Sequence, residues 1–280
     1  MRLAIVIPAY NEAKTIYGIV QQALAQTTIV IVVDDGSTDG TGELLAGLPS
    51  VLLRHPENQG KAAALWDGFR AALEYDPDFV ATLDGDGQHL PADVEVLARA
   101  ACANPGSIVI GARLKNRHHA PLARRFANRF ADFWISWAAG YSIADSQSGQ
   151  RVYPVTLLRR VQVRHDRGAA FTLESEMLIR ASKLGYRSIA VPIATIYHPD
   201  ARASHFRPAR DIGRIVIMVA KIAAGAGHAR GGTLECTTAP AGHSPPGRRP
   251  GAEGNGVRTW LKAAMDLEWV GDAAHPRTPR

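Results

Sequence analysis

Short β-branched runs alternate with longer Ala/Leu-rich segments from the first residues to about position 195, and this alternation limits the fold more than any other feature. The pattern predicts strands at Leu3–Ile7, Ile29–Val33, Val51–Leu53, Phe79–Leu83 and Ser107–Ile110. Helices are predicted from about Glu12 to Ala25 and from about Gly60 to Glu74. Strand, loop and helix repeated at this spacing make βαβ units. The expected class is therefore α/β, a mostly parallel Rossmann-like sheet with helices on both faces. Such sheets hold ligands beyond the carboxyl ends of their strands. The polar clusters PAYNE (8–12), DDGSTD (34–39), ENQGK (57–61) and DGDGQH (84–89) each follow a strand, so all are expected on one rim.

With 280 residues, 46% of them hydrophobic, the chain can bury the core of one ordinary domain and carry an appendage. Its two cysteines, Cys102 and Cys236, lack metal-ligand spacing. That argues against a disulfide framework or a structural zinc site and fits a reducing, cytoplasmic compartment. The N-terminal apolar run is too short for a signal peptide and is interrupted by Pro8. No stretch reaches the roughly 18 apolar residues of a membrane span. The nearest, 212–227, carries Arg214 and Lys221.

Residues 208–226 read as a helix with Arg210, Arg214 and Lys221 on one face. Two readings stay open: peripheral contact with the inner face of a membrane, or a helix packed on the domain with its charges in water. From residue 229 the chain is rich in Gly, Pro and Arg, and disorder is expected. The implied organisation is a domain over 1–205, a basic amphipathic helix over 206–228 and a low-complexity tail over 229–280.

The run Asp84-Gly85-Asp86-Gly87-Gln88 follows a buried strand. A departing nucleoside diphosphate accumulates negative charge, and a divalent ion held between a carboxylate and phosphate oxygens neutralises it. A solvated Asp/Gly turn is the plainer reading of the same run. In Asp34-Asp35-Gly36-Ser37-Thr38-Asp39, Ser37 or Thr38 is expected to cap a following helix while an upstream carboxylate faces the rim. No G-x-G-x-x-G follows the first strand, and Lys61 precedes Ala62 rather than Ser or Thr. Both absences argue against a dinucleotide-binding dehydrogenase and a P-loop NTPase.

Taken in order, IPAYNE, VVDDGSTDGT, ENQGKAAAL, LDGDGQH, GAR and DSQSGQRVYP resemble the family 2 glycosyltransferases of GT-A fold across roughly residues 3–205. Within that family the chain is most similar to the dolichyl- and polyprenyl-phosphate sugar (mannose) synthases. The resemblance implies a nucleotide-sugar donor, with Pro8, Tyr10 and Glu12 lining the nucleotide pocket, Asp35 contacting base or ribose, and Lys61 close to the nucleotide. It implies Asp84 at the ribose or diphosphate edge, and Asp86 as ligand to Mg²⁺ or Mn²⁺ with Gln88 assisting. Two positions depart from the family pattern: Gln150 stands where Phe is usual, and Ala190 where an acidic residue is usual.

A basic segment, with Arg113, Lys115, Arg117, Arg124, Arg125 and Arg129, is interleaved with or followed by Phe126, Phe130, Phe133, Trp134 and Trp137. Arginine forks suit phosphate, and aromatics give a lipid tail somewhere to lie. A solvated basic helix face is the alternative. The resemblance places Arg113 and the Arg124/Arg125 pair near a lipid-phosphate acceptor. A phosphate monoester is already anionic and attacks without a protein base; a saccharide hydroxyl needs a positioned carboxylate, for which Asp145 is the candidate. Single displacement with inversion follows for either acceptor.

Arg202 is expected to close over the donor diphosphate, with His205 nearby. Competing readings are transfer to a saccharide hydroxyl in cell-envelope glycan synthesis, a nucleotidyltransferase, and a non-catalytic binding protein. Nucleic acid is not an expected partner, because an acidic rim repels a phosphate backbone.

Overall fold

The computed structural model describes residues 1–113, 122–161 and 173–194, with Gly213, Ile217 and Val219 beyond them. The strands are β1 (Leu3–Ala9), β2 (Ile29–Asp34), β3 (Val51–Arg54), β4 (Phe79–Thr82), β5 (Ser107–Ala112), β6 (Arg151–Pro154) and β7 (Arg187–Pro192). They form one sheet in the order β3-β2-β1-β4-β6-β5-β7. β6 runs antiparallel to both β4 and β5, while every other pairing is parallel. Register places Thr82 and Ile110 opposite Arg151, so the segment entering β6 meets the carboxyl ends of β4 and β5 on one rim.

The helices are α1 (Ile16–Leu24), α2 (Lys61–Leu73), α3 (Asp93–Ala103), α4 (Leu122–Ala139), α5 (Val155–Leu158) and α6 (Leu173–Lys183). Within α4, nothing is described for the side chains of Leu122, Ala123, Arg124 and Phe126. β1 and β2 are buried along their whole length because both faces of the sheet are covered. Ala4, Val6, Ile31 and Val33 join one core with Leu65 and Phe69 of α2, Ile135 of α4 and Met177 of α6. Ile5, Ile7, Val30 and Val32 join the other, with Ile16 and Val20 of α1 and Val94 and Leu97 of α3. The expected α/β architecture, mostly parallel and covered on both sides, is the one found.

Several details differ from expectation. β1 continues through Pro8 to Ala9, which the ladder tolerates because pairing with β4 ends at Val6↔Thr82. Ser37 and Thr38 cap no helix: Gly36 and Gly40 adopt φ of 72° and 87°, and only a short 3₁₀ turn at Glu43–Leu45 follows. The chain divides into Met1–Leu234 and Glu235–Arg280, and every described residue lies in the first unit. Of the helix predicted over 208–226, Gly213, Ile217 and Val219 are helical and Val219 is buried; Arg210, Arg214 and Lys221 lie outside the described residues. Among the described residues no helix is long and apolar enough to cross a membrane.

Candidate active site

The loops after β1 and β2 are sewn together. Asn11 N–H donates to Ser37 Oγ at 2.9 Å, Glu12 N–H to Thr41 Oγ1 at 2.8 Å, and Thr38 N–H to Asn11 Oδ1 at 2.9 Å. The short polar side chains of the DGSTDGT run thus hold the PAYNE loop. The loop after β4 joins them, as Thr15 Oγ1 donates to the Gly85 carbonyl at 2.6 Å. A Cβ at Gly85 would press on the Pro8 carbonyl and touch the Glu12 side chain. Pro8, Glu12 and Gly85 are therefore neighbours.

Asp84 and Asp86 differ in their partners. Lys61, the first residue of α2, places Nζ 2.7 Å from Asp84 Oδ1 and 3.0 Å from Glu174 Oε1 at the start of α6. Burial alone would lower the Lys61 pKa, but the two carboxylates outweigh it and raise the group above its ordinary value. Asp84 is half-buried, and its loss of solvent favours the neutral form, yet Lys61 and then His89 hold it below the usual carboxylate range. Gly149 is required beside it, since any Cβ there would collide with the Asp84 carboxylate.

Asp86 goes the other way: burial, reinforced by the Asp84 charge, raises its pKa. Its carboxylate accepts the Gln88 N–H at 3.0 Å, and no ion pair to it is found among the described residues. A carboxylate whose charge is so poorly compensated suits a cation. The described residues contain no cluster of three or more His, Cys, Asp or Glu able to hold a metal by themselves. Asp86, with Gln88 beside it, would suit an ion that takes its other ligands from phosphate and water, as Mg²⁺ does.

A second cluster is organised around Asp145, which adopts φ of 51°. Arg113 donates to it from its backbone N at 2.7 Å, from Nε at 2.9 Å and from Nη2 at 2.6 Å. Burial would raise the Asp145 pKa, but the Arg113 bonds and charge bring it below the usual range. Asp132 of α4 accepts the Ser146 N–H at 2.8 Å and the Ser146 hydroxyl at 2.6 Å, fixing the same loop.

Behind it, fully buried Arg151 donates to the carbonyls of Ser148, Glu174 and Ser146 at 2.8, 2.7 and 2.7 Å. Gln150 donates to the Leu90 carbonyl at 3.0 Å. His89 lies between the two halves, within the fields of Asp84, Arg113 and Asp145; burial drives its pKa down to about 4.

A family model described as "Glycosyl transferase family 2" matches residues 4–157, more than half of the chain. The chain belongs to glycosyl transferase family 2. An uncharacterized protein of Methanocaldococcus jannaschii is 34% identical over 69% of this glycosyltransferase and 81% of its own length. A UDP-N-acetylglucosamine–dolichyl-phosphate N-acetylglucosaminyltransferase of Methanococcus voltae is 31% identical over 69% of this chain and 85% of that one. An undecaprenyl-phosphate mannosyltransferase of Micrococcus luteus is 29% identical over 70% and 84%.

Among solved structures, glucosyl-3-phosphoglycerate synthase of Mycobacterium tuberculosis with Mg²⁺ and UDP superposes with a TM-score of 0.60 at 21% identity, covering 80% of this chain and 79% of that one. Mannosyl-3-phosphoglycerate synthase of Rubrobacter xylanophilus gives 0.61 at 18% identity, covering 86% and 79%. At these identities the likeness shows a shared fold.

Of the expected site residues, Pro8, Glu12, Lys61, Asp84, Asp86 and Gln88 gather on the rim, with Arg113 and Asp145 beside them. Tyr10 is half-buried in the first loop. Arg125 is exposed on α4. Asp35 is buried and turned onto the backbone of Gln59 and Gly60. The Arg124 side chain, Arg202 and His205 lie outside the described residues. Sequence reasoning missed Glu174, Arg151, His55 and His89. An arginine opening an otherwise apolar strand, and a histidine just past the third strand, are the signals that point to two of them.

Proposed function

We propose that this glycosyltransferase moves a sugar from a nucleotide-diphosphate sugar to a polyprenyl-phosphate-type acceptor, with inversion, using Mg²⁺ or Mn²⁺ at Asp86 and Gln88. The observation that carries the proposal is the division of labour at the rim. Lys61 neutralises Asp84 and is itself fixed by Glu174, while Asp86 is left with its charge disfavoured. When bound, the ion supplies positive charge for the diphosphate leaving group. The chain's own residues do the rest: the sewn PAYNE and DGSTDGT loops bound the nucleotide, and Lys61 presents a fixed ammonium at the Asp84 edge. Orientation of donor and acceptor then supplies much of the rate.

For the acceptor, the state of Asp145 favours phosphate over a saccharide hydroxyl. A general base needs a carboxylate oxygen that can take a proton, and both Asp145 oxygens are committed to Arg113, which also holds the pKa low. An anionic phosphate needs no such base. Asp145 acts instead by aiming the Arg113 fork, with exposed Arg125 and Arg129 on the adjoining helix adding positive charge. The relatives that are named dolichyl- and undecaprenyl-phosphate sugar transferases support the same acceptor class. The organisation proposed above, with a basic helix over 206–228, would bring the site to a membrane surface peripherally.

The test is product analysis on the full-length protein with a panel of nucleotide-sugars and a polyprenyl phosphate. Release of a nucleoside diphosphate with formation of a lipid-phosphate sugar, lost in Asp86→Ala, is the expected result. Pyrophosphate release, or sugar found on a saccharide hydroxyl and not on the lipid, would refute the proposal.

A further inference from the structure

α4 ends at Ala139, and Gly140, with φ of 78°, turns the chain back along the helix it has just left. The returning stretch hangs on two side chains of α4. Ile143 N–H donates to Ser136 Oγ at 2.9 Å. One turn earlier, Asp132 Oδ1 accepts the Ser146 N–H at 2.8 Å and the Ser146 hydroxyl at 2.6 Å. Asp132 Oδ2 accepts the Asp145 N–H at 3.3 Å. Residues four apart on a helix share a face, so Ser136 and Asp132 are two rungs of one clamp.

Asp145 lies at the end of that clamp. Its φ of 51° is a left-handed conformation, which a residue other than glycine keeps only where its surroundings hold it. Here Asp132 holds the amide, and Arg113 holds both carboxylate oxygens. Ser146 is fully buried, with its carbonyl on Arg151 and its amide and hydroxyl on Asp132. Removing the Asp132 carboxylate would leave those two buried donors unpaired, which is costly, and would free the Asp145 amide. Exposed Arg125 and Arg129 stand on the same helix as Asp132. One side chain therefore joins the helix that carries these arginines to the loop that aims the Arg113 fork.

We infer that Asp132 is a positioning residue for the acceptor phosphate, fixing α4 against the Asp145 loop and so setting the arrangement of Arg113, Arg125 and Arg129. The inference rests on the lipid-phosphate reading above for its ligand and on the hydrogen bonds alone for its geometry. It separates two behaviours. A residue that arranges the acceptor arginines weakens the acceptor and spares the donor; a residue that only supports the fold weakens both together.

The experiment uses the full-length protein, wild type and Asp132→Ala, Asp132→Asn and Ser146→Ala, in two arms. In the first, undecaprenyl phosphate and the UDP-, GDP- or dTDP-sugar that the wild type turns over are varied in turn. Asp132→Ala should raise KM for undecaprenyl phosphate on the order of tenfold and leave KM for the nucleotide-sugar unchanged. Asp132→Asn, which keeps an oxygen to accept from Ser146, should recover part of that loss. Ser146→Ala should fall between wild type and Asp132→Ala. An unchanged KM for undecaprenyl phosphate, or a rise matched by the nucleotide-sugar, would overturn the inference.

The second arm needs neither substrate: hydrogen exchange at the Asp145 and Ser146 amides. Both should exchange faster in Asp132→Ala. In Asp132→Asn, Ser146 should stay protected while Asp145, facing an amide nitrogen, exchanges faster. Unchanged protection in both variants would overturn the inference. A wild type that moves no sugar to the lipid would count against the proposed function, while this second arm still decides whether Asp132 holds the loop. Should Asp132→Ala not fold, Ser146→Ala carries the kinetic arm and Asp132→Asn the exchange arm.

Discussion

His89 stands in a place that suits an imidazole only when it is neutral. Its ring is buried beside Asp84, Arg113 and Asp145, and its pKa falls from 6.5 to about 4. Because the folded value lies below the unfolded one, the unfolded chain takes up the proton first. Stability is therefore full above pH 6.5 and declines as pH falls towards about 4. Asp84 and Asp145, whose pKa values are held below the carboxylate range, lose their contribution only at more acid pH. The melting temperature should thus fall between pH 7 and pH 5, and His89→Gln should flatten that decline; parallel slopes in the two proteins would remove His89 from the account. Asp84, Asp86 and Lys61 were legible in the sequence because each sits in a contiguous cluster just past a strand. Glu174, His55 and Arg151 were not, because what they do depends on partners that only the folded sheet brings near.

The strands most readable in advance were those buried on both faces, since β1 and β2 are nearly unbroken apolar runs rich in Val and Ile. β6 was not readable: its four residues, Arg-Val-Tyr-Pro, begin with a charge and end with a proline. Its antiparallel insertion between β4 and β5 is also invisible to local pattern. That charge has a structural purpose. Arg151 supplies donors to carbonyls of the loop before β6 and of the first turn of α6, and so ties the Asp145 loop to the helix bearing Glu174. Arg151→Met keeps the bulk and leaves those buried carbonyls unpaired. It should lower unfolding free energy in urea by about 3 kcal/mol or more, from penalties of about 1–3 kcal/mol per unpaired group. A change under about 1 kcal/mol would show that water replaces the guanidinium without loss.

Across the whole molecule, one sheet with two covered faces leaves a single rim where the carboxyl ends of the parallel strands open. The site assembles there from loops that are far apart in the chain. The motif order in the sequence sufficed to identify this layout and the family. It did not show which of two neighbouring aspartates is neutralised from within. Lys61 pairs with Asp84, while Asp86 has no ion pair among the described residues and the proposal gives it the cation.

The most direct measurement of that claim is the thermal shift of the full-length protein with nucleotide-sugars, with and without Mn²⁺, in wild type and Asp86→Ala. Ligand at a hundredfold excess over its Kd stabilises by about 2.7 kcal/mol, or a rise of about 5 °C or more for a domain of this size. The account predicts that rise only when nucleotide-sugar and metal are present together, and none in Asp86→Ala. An equal rise without metal, or an undiminished one in Asp86→Ala, would contradict it.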